Sequence, residues 1–295
     1  MLTQPWSVEI PRTNDYAGFD LTTGSFYRTS GSRQRQVALG APRAGDLREG
    51  TVFIVETNAV TLNPQEAKVK QVAKVHGDKS GEYFGASLLS MDINGDGVDD
   101  LIIGSPLYTF VELSVASVGF EEGRISIFSL NSRSGQLERK LALNGPGGPG
   151  ARFGAALANL GDIDQDGYQD FVVGSPFEED GKGVVRIFYG NPNIEYIQGN
   201  SKIYLCFEKL KYESFSTEQR DNVIRASEIS SNLKGFGISF TKQLLDVDGN
   251  QLSDLGIGSY ASNEAVILKR RPLVWAKIEI EPSEKFIDIT AFKSE

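Results

Sequence analysis

Acidic side chains recur in this sequence at alternating positions of short loops, which is the arrangement an oxygen-seeking cation requires. Asp92, Asn94, Asp96 and Asp100 take the first, third, fifth and ninth places of one stretch, with Gly97 at the sixth. A second stretch offers Asp162, Asp164, Asp166 and Asp170 around Gly167, and a third offers Asp246, Asp248, Asn250 and Asp254. A tight loop turns every second side chain inward, so each set converges. The carbonyl of the seventh residue (Val98, Tyr168 or Leu252) adds a further oxygen. A cage of carboxylates and a carbonyl suits a flexible ion of high coordination number, so Ca2+ is expected over Mg2+. Zinc would want His or Cys, which the loops lack. Three calcium sites follow. The Asp162 set, with four carboxylates, is expected to bind tightest, and the Asp246 set, where Gln251 replaces the turn glycine and Gly249 precedes it, weakest.

The first half of each loop is similar to an EF-hand loop, but the closing acid comes at the ninth place rather than the twelfth and the flanks read as strands. The sites are expected to be structural and not catalytic. Every carboxylate in them is assigned as a ligand except Asp99, and no spare base lies beside a nucleophile. Clustered anions repel, so the hairpins should fray without metal. Three Ca2+ ions would bring the formal net charge from -9 to about -3.

The loops sit inside a repeat. The copies read YAGFDLTTGSF to VALGAP (16–42), YFGASLLSMDINGDGVDDLIIGSP (83–106), RFGAALANLGDIDQDGYQDFVVGSP (152–176) and GFGISFTKQLLDVDGNQLSDLGIGSY (235–260). Each has an aromatic-Gly step, an apolar strand, the loop, and a second apolar strand ending Gly-Ala/Ser and then Pro or Tyr. A run rich in branched and aromatic residues follows each copy: GTVFIVET, GRISIFSL, GVVRIFYG and EAVILKRR. Such runs favour strands, and repetition at tens of residues points to a propeller or solenoid. Residues 141–150 and 191–200 read as connections between units. Residues 202–234 are the least repetitive and stay open between loop and short helix. The segment 272–295 leaves the repeat and alternates apolar with polar residues, as strands of another domain would.

Composition agrees. With 295 residues, 40% of them hydrophobic, the chain can bury a core, and 32 glycines suit short strands and tight turns better than long helices. The fold class expected is all-β. The net charge of -9 argues against nucleic-acid binding, which needs clustered cations. His76 and Cys206 are the only residues of their kinds, so a histidine-based triad, a cysteine zinc site and an intrachain disulfide are excluded. The residues after Met1 do not read as a secretory leader, and no stretch approaches the roughly 20 apolar residues that span a bilayer. As written, the chain is expected to be soluble. It contains no Asn-x-Ser/Thr.

These units resemble the FG-GAP repeats of the seven-bladed β-propeller in integrin α subunits. One metal-less copy followed by three acidic ones, then AVILKRRPLV, is similar to the last four blades and the exit toward the next domain. The resemblance implies a partial propeller over residues 1–271, with repeats at about 16–56, 83–130, 152–190 and 235–270. Residues 272–295 would begin a thigh-like β-sandwich. The metal-less loop, GSFYRTSGSRQRQ, resembles that of laminin-binding and some invertebrate members. The resemblance further implies a cell-surface receptor subunit, extracellular and not enzymatic, held to the membrane only by a C-terminal transmembrane segment outside this sequence. It implies pairing with an integrin β subunit through the upper face, where aromatics receive a basic side chain. Carried over, those positions are Tyr16, Phe84, Phe153 and Phe236, each of which equally suits a core role. Ligands would be matrix or cell-surface proteins. They would be contacted largely by the absent blades and the first blade present here, around Arg43 to Arg48. The metal loops would lie on the lower face as braces. Four blades of seven would expose an apolar flank, so the chain alone is expected to associate. The alternatives are the FG-GAP appendage of a phospholipase-type enzyme and a soluble calcium-stabilised scaffold.

Overall fold

A computed structural model of the chain describes residues 14–27, 35–57, 69–110, 119–197, 222–242 and 246–271. Among the described residues, fifteen strands make four antiparallel sheets in which each strand pairs with its sequence neighbour. The first sheet holds β1 (Leu21–Gly24), β2 (Gln36–Ala41), β3 (Thr51–Thr57) and β4 (Val69–His76). The second holds β5 (Ser87–Met91), β6 (Asp100–Ser105), β7 (Arg124–Leu130) and β8 (Leu137–Asn144). The third holds β9 (Ala156–Gly161), β10 (Asp170–Ser175), β11 (Val184–Phe188) and β12 (Val223–Arg225). The fourth holds β13 (Phe236–Phe240), β14 (Leu255–Ser259) and β15 (Glu264–Leu268). Each sequence repeat is therefore one blade, and the four first strands β1, β5, β9 and β13 adjoin in series.

Strand sequences follow from position. β6 and β10 are buried along their whole length, because each is covered on both faces by neighbouring blades, and they read as continuous apolar runs rather than alternating ones. β8, at the outer edge, carries LERKLALN with every residue exposed or half-exposed. The apolar cores lie between blades. Val52 and Ile54 of the first pack with Phe84, Leu101 and Ile103 of the second. Ile102 and Ile127 pack with Phe153, Phe171 and Phe188, and Val172 and Ile187 with Phe236, Leu255 and Ile257.

The glycine of each Gly-Ala/Ser step sets how closely blades approach. A Cβ on Gly40 would lie 2.1 Å from the carbonyl oxygen of Gly85, one on Gly104 2.1 Å from that of Gly154, and one on Gly174 2.0 Å from that of Gly237. Any side chain there would push two backbones apart. Gly258, in the fourth blade, meets only Ser239 and Ile238 of its own sheet. The end blades are joined directly: Lys242 Nζ reaches Asp20 Oδ1 at 2.5 Å, and Asp20 Oδ2 also accepts from Leu88 N at 2.9 Å.

Two expectations about connections change. Residues 191–197, which follow β11, and β12 at 223–225 belong to the third blade. Ile194 and Ile197 are buried in the core between the second and third blades, and 226–229 form a short helix after β12. Residues 141–144 are the end of β8 rather than linker. The expected β-sandwich start at 272–295 lies outside the described residues. Among the described residues, no helix is long and apolar enough to cross a membrane.

Candidate metal centres

Antiparallel topology puts the acidic loops at one end of the blades and the aromatic-Gly turns at the other. Each loop leaves the first strand and enters the second, while each turn precedes or opens the first strand. Three loops with different residues then repeat one hydrogen-bond pattern. The second oxygen of the first aspartate accepts from the sixth residue: Gly97 N to Asp92 at 2.8 Å, Gly167 N to Asp162 at 2.9 Å, Gln251 N to Asp246 at 2.8 Å. Its other oxygen accepts from the fifth residue at 3.1 Å in all three. The fifth side chain accepts from the seventh N–H, that of Val98, Tyr168 or Leu252. These bonds wrap the backbone around the first carboxylate and leave the other acidic oxygens to gather.

The wrap needs left-handed backbone at the fourth and sixth places, which Gly95 and Gly97 supply in the first loop (φ 74 and 82). Gln165 takes φ 63 in the second and Gln251 φ 65 in the third. Replacing the turn glycine by Gln251 therefore leaves the loop geometry intact, at a local strain of about 1 kcal/mol.

The ninth aspartate is the loop's floor. Asp100, Asp170 and Asp254 are 1%, 0% and 4% exposed, and each accepts from the second loop residue, Ile93 N at 3.1 Å, Ile163 N at 2.7 Å or Val247 N at 2.8 Å. Burial pushes the Asp100 and Asp170 carboxyls up to about 7, against the loop hydrogen bonds and with help from neighbouring aspartates. Burial and Asp166 raise Asp164 to about 6. These are anions short of positive charge. Carboxylate oxygens of Asp162, Asp164 and Asp166 lie within 4.8 Å of one another, as do those of Asp246, Asp248 and Asp254. In the Asp92 loop no such group of three carboxylates comes together, and the Asn94 amide nitrogen donates to Asp96 Oδ2 at 3.3 Å. The donor set is all oxygen, which fits a hard divalent cation.

Residues outside the ligand pattern complete the frame. Asp99, without a role in the sequence pattern, links blades: its carboxylate accepts from Ser25 N at 2.7 Å and its own N–H donates to Ser25 O at 3.1 Å. In the first blade Gln36 stands at the register of the closing aspartates, is 0% exposed, and accepts from Phe26 N at 2.9 Å.

The aromatic positions divide. Phe84, Phe153 and Phe236 are 1%, 1% and 0% exposed inside the inter-blade cores, so the expectation that they present rings to a partner gives way to their core role. Tyr16 is 46% exposed. Its left-handed backbone (φ 56) matches that of Tyr83 and Arg152 (φ 65 and 54). Ala17 therefore takes the phenylalanine place in the first repeat. Tyr16 meets Tyr83 edge-on and lies under the Arg43 guanidinium at 4.9 Å. Phe19 and Tyr260 are each 54% exposed at the same end of the blades.

Residues 84–128 and 153–188 match the FG-GAP repeat family. Integrin alpha-4 of Xenopus laevis is 33% identical over 260 residues, 88% of this chain and 21% of that protein. Integrin alpha-PS2 of Drosophila melanogaster is 32% identical over 279 residues, 92% of this chain and 17% of that protein. Integrin alpha-11 of Homo sapiens is 32% identical over 284 residues, 94% of this chain and 20% of that protein. The chain thus spans about a fifth of the length of the curated relatives it matches. With four repeats folded as four adjoining blades, the chain carries FG-GAP repeats and is similar over most of its length to integrin α subunits.

Proposed function

We propose that this chain is the calcium-braced propeller segment of an integrin α-type adhesion receptor. The observation that carries this is the same carboxylate-wrapped loop, built three times at one end of consecutive blades, in a chain related to integrin α subunits. Each ion would be held by the first, third, fifth and ninth side chains and the seventh carbonyl, and would supply the charge that the buried Asp100, Asp170 and Asp254 lack. Ca2+ there acts on the blades and not on a substrate, and the segment's role is binding and not catalysis.

The opposite end carries the partner surface in this reading. Tyr16, Phe19, Tyr83 and Arg43 cluster at one part of it, and Arg152, Phe177 and Tyr260 at another. Aromatic and arginine side chains dominate protein interfaces, which supports pairing with an integrin β subunit. The ligands are matrix or cell-surface proteins. The receptor works on the extracellular side of the plasma membrane. The integrin relatives favour this reading over a phospholipase appendage.

Co-expression of the full-length α subunit with a β subunit tests pairing. Surface display and co-precipitation should survive Asp99→Asn and fall when Tyr16 and Arg43 are both replaced by alanine. Unchanged pairing after that double change would remove this surface from the interface.

A further inference from the structure

The third and fourth blades meet at a residue that the loop pattern does not include. Arg270 follows β15, is 7% exposed, and touches both neighbouring loops. Its main chain belongs to the fourth blade's loop: Arg270 N donates to Asp254 Oδ1 at 2.9 Å, and Arg270 O accepts from Asn250 Nδ2 at 2.9 Å. Its guanidinium belongs to the third blade's loop, donating through Nη2 to the carbonyls of Asp162 at 2.9 Å and Ile163 at 3.0 Å. Asp162 and Ile163 are the first two places of that loop, and Asp254 and Asn250 the ninth and fifth of the other. One buried residue, through its main chain and its guanidinium, therefore connects two loops more than 80 residues apart in the chain, from Asp162 and Ile163 to Asn250 and Asp254.

The matching place in the third blade is Gly190, whose N–H donates to Asp170 Oδ1 at 3.0 Å, while the next N–H, Asn191, donates to Ile93 O at 3.0 Å. That junction uses main chain alone. At Arg270 the link has a side chain that cannot leave without stranding a buried charge, and its Nε is already buried without a partner. Four carboxylates in the Asp162 loop outweigh the single guanidinium charge, so the arginine does not cancel the pull on a cation.

We propose that Arg270 is a positioning residue that couples cation binding in the Asp246 loop to cation binding in the Asp162 loop. This rests on the calcium reading of both loops. A cation drawing in Asp254 and Asn250 fixes the Arg270 main chain. The guanidinium then holds the start of the neighbouring loop in its ligating conformation, so each site binds more tightly when the other is filled, as linkage requires.

Tyr168 is the aromatic residue within the three loops, and its ring lies against Gly95 of the Asp92 loop. Terbium luminescence excited through tyrosine, measured on the full chain with the Asp92 loop disabled by Asp92→Asn and Asp96→Asn, therefore reports the Asp162 loop. Disabling the Asp246 loop with Asp246→Asn and Asp248→Asn should then weaken terbium binding, and its displacement by calcium, about fivefold. With Arg270→Met the Asp162 loop should show the same affinity whether or not the Asp246 loop is intact, and Arg270→Lys should restore part of the dependence. A purely structural arginine would weaken both loops and leave the dependence in place, which overturns the proposal. So does equal affinity with and without the Asp246 loop while both loops bind, an outcome that leaves the calcium reading standing. No uptake by any loop overturns both. Should Arg270→Met fail to fold, the comparison with native arginine and with Arg270→Lys decides alone.

Discussion

Gln36 in the first blade and Asp100 in the second stand at one register, are 0% and 1% exposed, and accept from the second residue of their loops, Phe26 N at 2.9 Å and Ile93 N at 3.1 Å. One is neutral and the other a buried acid whose carboxyl burial pushes up to about 7. The same hairpin floor is thus built with and without a charge. The difference teaches that this fold does not need a cation for its shape. On the proposed reading, a cation is needed only where the floor is a buried acid and the loop above it adds more carboxylates. Metal dependence should accordingly be confined to the second, third and fourth blades.

The strongest way to expose that contrast is to remove calcium. At a hundredfold excess over Kd each site contributes about 2.7 kcal/mol, so three sites together contribute roughly 8 kcal/mol. Chelation should lower the melting temperature sharply, and hydrogen exchange should accelerate in β5, β6, β9 and β10 before β2 and β3. Equal acceleration in all blades would erase the distinction between them.

Charging the first blade should break the comparison from the other side. Gln36→Asp buries a carboxylate with no acidic loop to recruit a cation, and should cost about 3 kcal/mol at pH 8, with no rescue by calcium. Urea melts with and without calcium read both parts.

The reverse change, together with pH, is a smaller test. In calcium-free protein Asp100 and Asp170 bind protons more tightly folded than unfolded, since their folded values lie near 7 and the unfolded chain titrates in the ordinary carboxylate range. The folded state then holds more protons between those values, so stability should fall as pH rises through that window. Saturating calcium should reverse the slope, because protons and cation compete. Asp170→Gln should stabilise the calcium-free protein at pH 8 by about 1 kcal/mol and flatten this slope, while abolishing the benefit of calcium at its loop. Melting temperatures at pH 5.5 and 8 would show a flat calcium-free profile if the buried acids are not the cause.

The smallest effect concerns the seam between the two kinds of blade. Asp99→Ala removes the acceptor for Ser25 N and should cost about 1 kcal/mol whether or not calcium is present. A calcium-dependent cost would assign Asp99 to the cation instead.

Much of this was legible from the sequence because it is local. The acidic loops, the strands around them and the fourfold repeat lie within short windows, and the wrapped hydrogen-bond pattern follows from residues at most nine places apart. What stayed hidden is what the blades do to one another. Arg270 looks like one of three consecutive basic residues, and nothing nearby in sequence says that it contacts Asp162. Gln36 was obscured because its loop is longer than the other three, which shifts the apparent spacing from the aromatic-Gly step. Ala17 in the phenylalanine place moved the expected aromatic by one residue to Tyr16. The third blade's outer strand β12 lies beyond a long insertion, so the segment read as a gap between units when it closes a sheet.

Calcium stoichiometry on the full chain tests the central claim most directly. Equilibrium dialysis at pH 8 should find three Ca2+ ions per chain, falling to two when Asp162, Asp164 and Asp166 are replaced by asparagine. No bound calcium in folded protein, or three ions still bound to that variant, would contradict the account.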